Sequence, residues 1–253
     1  MAGTFNFTFK VPGDAGQAPF ATKPGAETPV VSTASLPTPA AEATRPAHST
    51  AVSTAVPVLQ AFDLFPTRIW QAHPPGLTQY LEQWVTAVLA MRAASPKAAG
   101  RTNRMGWNSE DMAVLEQAVF APLQQAVRAA CIKALHEMGV RDIAFHLQSW
   151  INMHDRGGFN FLHVHEGSLL SGSFYLKVPP GSGKFAFRDP RPGVIHGYIK
   201  GAVPNGYSDI KLTPDAGLLV LFPCWMEHFV EPHNNDEPRI CIAFNANEGA
   251  AKR

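Results

Sequence analysis

The sequence Asn-Phe-Leu-His-Val-His at residues 160–165 places two histidines, His163 and His165, two positions apart. Successive side chains of a β-strand point to opposite faces, so such a pair puts both imidazoles on one face. Far along the chain, His228 follows an apolar run and Arg239 begins the next one. This pattern predicts a metal centre in a β-rich fold, with an arginine nearby that can hold an acid. Imidazole binds Fe, Zn, Cu and Ni alike, so ligand type alone selects no metal.

The composition limits the class of function. The chain has 253 residues and a formal net charge of +1 at pH 7. Without a basic stripe, nucleic-acid binding through phosphate contacts has no support. Three cysteines are too few for a disulfide framework, which favours a reducing, cytoplasmic location. We expect neither a signal peptide nor a membrane span, because no charged leader or long apolar run occurs.

The chain changes character near residue 56. Residues 1–56 form a segment rich in Pro, Ala and Thr that contains few large apolar side chains. Such a segment cannot bury enough surface to offset its ordering entropy, so we predict a disordered tail. Residues 57–250 are predicted to form one domain.

Two helices are predicted at the start of this domain. Apolar residues recur at helical spacing over residues 76–94, which indicates an amphipathic helix. A second helical region is predicted over residues 109–138, with Asn108 or Ser109 as the cap. Pro122 is expected to split this region and to lie in the first turn of the longer helix. Gly139 is a plausible C-terminal stop.

After Gly139 the hydrophobic period changes from helical to two, and a β core is predicted over residues 141–247. In the strand from Ile143 to His154 the odd-numbered apolar residues should face the helices. The even-numbered face, which carries Trp150 and Asn152, should look into a barrel. The pattern predicts a mainly β, α+β fold with the helices packed on one outer face.

Several motifs combine with the histidine pair. They are Ser171-Gly172-Ser-Phe-Tyr175, Phe187-Arg-Asp189-Pro190, Phe222-Pro-Cys-Trp-Met-Glu-His228 and Arg239 to Asn245. Together they resemble the 2-oxoglutarate/Fe(II) oxygenases, in a bacterial and phage branch with an N-x-x-H-x-H and S-G-x-x-Y pattern. The resemblance covers about residues 62–247. It implies a double-stranded β-helix, or cupin-like jelly roll, that holds Fe(II) and 2-oxoglutarate inside.

The resemblance also implies roles for individual residues. His163 matches the first metal ligand of the family, His228 the distal ligand, and Arg239 the residue that pairs with the far carboxylate of 2-oxoglutarate. Asn152 is similar to an asparagine that contacts 2-oxoglutarate in the nucleic-acid demethylase branch, and its position supports His163 as the first ligand. Three further residues are candidates for the co-substrate: Ser173, Tyr175 and Asn245. Asn245 has the alternative of bonding only to a neighbouring strand.

His165 stands where the family has a carboxylate, and three interpretations compete. His165 is the third ligand of a three-histidine site, or it is the first ligand with Gly167 in the carboxylate position. In the third interpretation His165 lies outside the metal's ligands, and water or an acid such as Glu166 or Asp189 completes the site. We favour the first, because strand alternation points His165 at the same metal as His163.

The reaction that the resemblance implies is hydroxylation of an unknown substrate, with 2-oxoglutarate and O2 consumed and succinate and CO2 released. A three-histidine, 2-oxoglutarate-independent metal dioxygenase and a non-catalytic barrel module are the alternatives. The sequence supports no membrane or nucleic-acid partner and leaves a homodimer open. We expect His154, His196 and His233 to be surface or loop histidines.

Overall fold

A computed structural model of the protein describes residues 65–193 and 209–249. Within these ranges the helices are α1 (Leu81–Ala94) and α2 (Ala121–Glu137). The strands are β1 (Trp70–Ala72), β2 (Asn103–Asn108), β3 (Phe145–His163), β4 (Leu170–Lys177), β5 (Phe185–Arg188), β6 (Asp209–Leu212), β7 (Leu219–Pro223), β8 (His228–Val230) and β9 (Arg239–Glu248). The predicted tail, residues 1–56, and His196 lie outside the described residues.

The strands form one antiparallel sheet in the order β1-β7-β4-β9-β3-β8-β5-β6, with β2 alongside β3. β3 is 19 residues long and connects the two parts of the sheet. Its first ten residues pair with β9, and near its end it pairs with β8 through Asn160 and His163, with an irregularity between these two residues. This curled, mainly β sheet with two helices confirms the predicted jelly-roll fold.

One face of the sheet packs against the helices. Leu147, Ile151 and Met153 of β3 are buried in one apolar cluster with Trp84 of α1 and Val127 of α2. These odd-numbered β3 positions were predicted to face the helices, and the structure confirms it. The even-numbered face of β3 is therefore free to line the interior of the curled sheet.

The helical segment before the sheet is shorter than predicted. Residues 76–94 contain a short 3-10 turn, Thr78–Tyr80, and α1 begins only at Leu81. The predicted helix over residues 109–138 consists of two 3-10 turns and then α2 from Ala121. As predicted, Pro122 divides this region and lies in the first turn of the longer helix α2, a position that proline fits. Gly139, with φ of +83°, ends the helix as predicted.

Strand β2 was not predicted. Its sequence, Asn-Arg-Met-Gly-Trp-Asn, lacks the alternation that marks a half-buried strand. It is a strand because β3 supplies an antiparallel partner from Asn152 to Asn160. Within the described ranges no helix is both long and apolar enough to cross a membrane.

Replacing Trp84 by alanine is expected to lower the free energy of unfolding by about 3–5 kcal/mol. Trp84 is fully buried, lies edge-on to Phe174 of β4, and donates its indole N–H to the carbonyl of Val119 at 2.8 Å. Chemical denaturation measures the change. Leu89→Ala on the exposed side of α1 is the matched control and should change stability by no more than about 0.5 kcal/mol. Equal losses in the two variants would contradict this account of how α1 packs on the sheet.

Candidate functional site

Three histidines meet at one end of the interior cavity. His163 is the last residue of β3 and pairs directly with His228, the first residue of β8. The ring centroids lie 4.2 Å apart for His163 and His228, and 5.0 Å separates His165 from each of them. Their ligand nitrogens all lie within 4.8 Å of one another. The structure thus brings together the three residues that were predicted as metal ligands.

Two of the three rings are held by backbone carbonyls. His163 Nδ1 lies 2.6 Å from the carbonyl oxygen of Phe161, and His228 Nδ1 lies 2.8 Å from that of Met226. A carbonyl only accepts, so each Nδ1 carries the proton and each Nε2 keeps a free lone pair. Such hydrogen bonds orient metal-binding imidazoles in many proteins. The ring of His165 has no comparable bond within the described ranges and packs at a tilt against Trp150.

All three imidazoles are neutral at neutral pH. Burial lowers the pKa of His163. Burial lowers the pKa of His165 to about 4, and the repulsion that two protonated rings at His163 and His165 would feel adds to this shift. Burial, reinforced by the two neighbouring histidines, holds the pKa of His228 well below its ordinary value. Metal binding requires the unprotonated ring, so these shifts favour it.

No carboxylate within the described residues joins the histidine cluster. Glu166 is exposed, and Asp189 makes an ion pair with Arg191 at 2.6 Å. Gly167 lies in the turn after the pair, with φ of +79°. The donors that the structure assembles are therefore three nitrogens.

The other end of the cavity contains a buried positive charge. Arg239, the first residue of β9, is only 1 % exposed, and its guanidinium lies over the ring of Tyr175 at 4.9 Å. Its Nη1 contacts the imidazole of His154 at 3.1 Å, whereas Nε and Nη2 have no hydrogen-bond partner among the described residues. The buried hydroxyl of Tyr175 also lacks a partner there. A buried guanidinium without a carboxylate is costly, so this end of the cavity is suited to an anion.

Strand register explains which predicted residues line the cavity. Residues that pair across antiparallel strands share a face. Asn152 of β3, Cys241 of β9 and Tyr175 of β4 form one row across the sheet, and Ala243 pairs with Ser173 in the next row. The residues of these rows line the cavity together with Arg239 and the three histidines.

Asn245 lies one row further along β9 and is not part of the cavity lining. Its Oδ1 accepts a hydrogen bond from the hydroxyl of Ser171 on β4 at 2.8 Å. The structure therefore shows the alternative, a bond to the neighbouring strand, and contact of Asn245 with the co-substrate stays a prediction. Asn245 lies on the same face of β9 as Ala243, as predicted, but about 7 Å further along the strand.

The prediction for His154 was wrong, whereas His233 lies in the loop between β8 and β9 as predicted, although it is buried there. His154 is completely buried beside Arg239, and His233 is 1 % exposed, with Nε2 2.7 Å from the carbonyl of Glu237. His154 shares the even-numbered face of β3 with Trp150 and Asn152, and this parity was the signal that could have placed it inside.

Comparisons with known proteins give one family match and several similar folds. Residues 148–245 match the model of a family described as "Putative 2OG-Fe(II) oxygenase". No curated protein matches the chain significantly. Among solved structures, a prolyl-4-hydroxylase from Pseudomonas putida is similar with a TM-score of 0.53 at 14% identity, covering 73% of this chain and 94% of that one. The non-haem α-ketoglutarate-dependent epimerase SnoN from nogalamycin biosynthesis is similar with a TM-score of 0.51 at 16% identity, covering 72% of this chain and 77% of that one. At such identities the likeness establishes the fold.

Loss of any one histidine of the cluster is expected to weaken metal binding. The full-length protein should bind one Co(II) per chain in equilibrium dialysis, and His163→Ala or His228→Ala should lower its affinity about 100-fold or more. His136→Ala removes an exposed histidine of α2 and is the matched control, with affinity unchanged. Undiminished binding by the His228 variant would contradict this location of the metal.

His165 needs a test of its own, because its ring is not held by a backbone carbonyl. If its nitrogen is a ligand, His165→Ala should weaken Co(II) binding about as much as His163→Ala does, and His165→Asp should restore most of the affinity. An alanine variant that binds Co(II) like the unmodified protein would show that His165 lies outside the metal's ligands.

Proposed function

We propose that the chain is a 2-oxoglutarate/Fe(II)-dependent oxygenase, as the match of its residues 148–245 to that family supports, and that it hydroxylates a substrate with release of succinate and CO2. In this proposal His163, His165 and His228 hold Fe(II), and the Arg239 end of the cavity holds 2-oxoglutarate. The observation that carries the proposal is the buried guanidinium of Arg239, which has two unpaired nitrogens and no carboxylate among the described residues.

The far carboxylate of 2-oxoglutarate suits this end of the cavity. A guanidinium binds a carboxylate through two parallel hydrogen bonds, and such charge-assisted bonds are about twice as strong as neutral ones. The hydroxyl of Tyr175 can donate a further bond, since it is buried and unpaired. Burial raises the pKa of Tyr175, so the phenol keeps its proton. Ser173 and Asn152 line the same cavity, and Asn152 is oriented by a hydrogen bond from Asn108.

The three imidazoles suit Fe(II), which accepts histidine nitrogen readily. Because all three are neutral, a bound Fe(II) would keep its full charge of +2, one unit more than with a carboxylate ligand. This should strengthen its attraction for the anionic end of 2-oxoglutarate. When bound, Fe(II), 2-oxoglutarate and oxygen supply the oxidation that converts 2-oxoglutarate to succinate and CO2.

The chain's own contribution is to position these groups and exclude water. Phe185, Phe222 and Val230 form an apolar wall beside His228, with ring centroids of Phe222 and His228 4.6 Å apart. Apolar walls lower the local dielectric, which strengthens the interaction between Arg239 and an anion. Three unpaired cysteines support the further proposal of a cytoplasmic location.

The nitrogen-only cluster favours one second candidate, a three-histidine metal dioxygenase that does not use 2-oxoglutarate. In that case Arg239 would bind the anionic part of the primary substrate instead. Such an enzyme would bind metal as described above but would release no succinate.

Succinate formation separates the two candidates. Incubation of the full-length protein with Fe(II), oxygen and 2-oxoglutarate should release succinate, and Arg239→Gln should raise the KM for 2-oxoglutarate by about 30-fold or more. The change removes the charge that pairs with the far carboxylate. Arg156→Gln is the matched control, since Arg156 is an exposed β3 arginine that pairs with Asp236. Its KM should not change.

Two results would contradict the proposal. One is the absence of succinate from protein that binds Fe(II) and 2-oxoglutarate in equal amounts, which would leave the hydroxylase assignment without support. The other is an unchanged KM for Arg239→Gln, which would place 2-oxoglutarate elsewhere.

A further inference from the structure

A chain of hydrogen bonds runs from Arg239 through His154, which does not line the cavity, to Asn160 and Thr102, which do. His154 pairs directly with Arg239 across β3 and β9, and its Nδ1 lies 3.1 Å from Arg239 Nη1. Its Nε2 lies 2.7 Å from Oδ1 of Asn160. Asn160 in turn donates from Nδ2 to the hydroxyl of Thr102 at 2.9 Å. His154 is fully buried, and Asn160 is 5 % exposed.

The chemistry of arginine fixes the direction of every bond in this chain. A guanidinium has only donors, so the His154 nitrogen that faces it must be an acceptor without a proton. The proton of the neutral ring therefore sits on Nε2 and is donated to Asn160 Oδ1. The amide of Asn160 then has its nitrogen free to donate to Thr102. In this one arrangement both ring nitrogens of His154 and both polar atoms of the Asn160 amide have a partner.

The hydrogen bond between Arg239 Nη1 and His154 also determines which edge of the guanidinium stays without a partner. His154 occupies Nη1, and the two nitrogens without partners are Nε and Nη2. Nε and Nη2 lie on the same edge of the guanidinium and present two parallel N–H bonds. This edge matches a carboxylate bidentately.

We infer that His154 is a positioning residue: it holds Arg239 by Nη1, so that the Nε and Nη2 edge faces the far carboxylate of 2-oxoglutarate with its charge uncompensated. The inference rests on the proposed function. It adds a specificity role for a residue that touches neither the metal cluster nor the co-substrate.

The group that accepts the hydrogen bond from Arg239 must be uncharged for this role. A carboxylate at the same place would pair with Arg239 and compete with the ligand's own carboxylate for it. Imidazole avoids this, because burial and the adjacent positive charge of Arg239 lower the pKa of His154 to about 3. His154 therefore accepts a hydrogen bond without neutralising the guanidinium. The other charged or titratable group that acts on it is His233, whose effect is smaller and also disfavours protonation.

Three substitutions of His154 separate its ability to accept a hydrogen bond, its neutrality and its size. Asparagine can place an oxygen near the position of Nδ1, aspartate places the same oxygen with a negative charge, and leucine has a similar size but no acceptor. We expect His154→Asn to bind 2-oxoglutarate within about 3-fold of the unmodified protein. His154→Asp and His154→Leu should bind it about 10-fold to 100-fold more weakly, the range for loss of a charged hydrogen bond.

The measurement is calorimetric titration of the full-length, Ni(II)-loaded protein with two ligands. 2-Oxobutyrate keeps the 2-oxo acid end of 2-oxoglutarate but has no far carboxylate. Its affinity should be the same for all variants, so the ratio of the two affinities reports only the Arg239 end of the cavity. A merely structural role of His154 would lower both affinities together.

A second measurement does not depend on any variant folding. Long-range 1H–15N correlation spectra of the metal-free protein should show His154 neutral, with the proton on Nε2, between pH 5 and pH 8. A proton on Nδ1, or a charged ring in this range, would overturn the inference.

The outcomes distinguish this inference from the proposed function. If the unmodified protein does not bind 2-oxoglutarate, the proposed function fails. If it binds, two results overturn the inference. One is an aspartate variant that keeps the full affinity for 2-oxoglutarate. The other is an affinity for 2-oxobutyrate that falls in the variants as much as the affinity for 2-oxoglutarate does. The inference is supported if the aspartate and leucine variants lose affinity for 2-oxoglutarate only, and the asparagine variant binds it nearly as well as the unmodified protein.

Discussion

The antiparallel pairing of β3 with β9 is the constraint on which the rest of the site depends. It runs without a break from Phe145 and Glu248 to His154 and Arg239. Because paired residues share a face, this register sets His154 beside Arg239 and Asn152 beside Cys241. A slip of one residue would turn all of them to the helix face. The continuation of β3 beyond this pairing then delivers His163 to β8, so one strand positions both ends of the cavity.

Burial has opposite consequences at these two ends. An imidazole can lose its proton near neutral pH, so burial makes the three histidines neutral and ready to bind a metal. A guanidinium cannot be deprotonated in proteins, so Arg239 keeps its charge in the same interior. The cavity therefore has neutral nitrogen donors at one end and an uncompensated cation at the other. A metal chelator that carries a second, distant carboxylate fits this polarity, and 2-oxoglutarate is such a molecule.

Much of this arrangement could be predicted from the sequence. Strand alternation placed Asn152 inside and Met153 toward the helices, and the family resemblance gave His163 and His228 as metal ligands and Arg239 as the partner of the far carboxylate. Two features could not be read from local pattern. β2 is a strand only because β3 pairs with it, and Asn245 lies on the correct face but beyond the cavity, since parity does not show where a cavity ends. His154 was wrongly expected at the surface or in a loop, although it has the same parity on β3 that placed Asn152 inside. Its contact with Arg239, 85 residues away in sequence, could not be read from local pattern.

The central claim is that one cavity holds a metal on three histidine nitrogens and a dicarboxylate against Arg239. A crystal structure of the protein soaked without oxygen in Fe(II) and 2-oxoglutarate, with anomalous data at the iron edge, tests it most directly. The account predicts one anomalous peak within bonding distance of His163, His165 and His228, and a carboxylate on the Nε and Nη2 edge of Arg239. A peak at another place, or a co-substrate that does not contact Arg239, would contradict it.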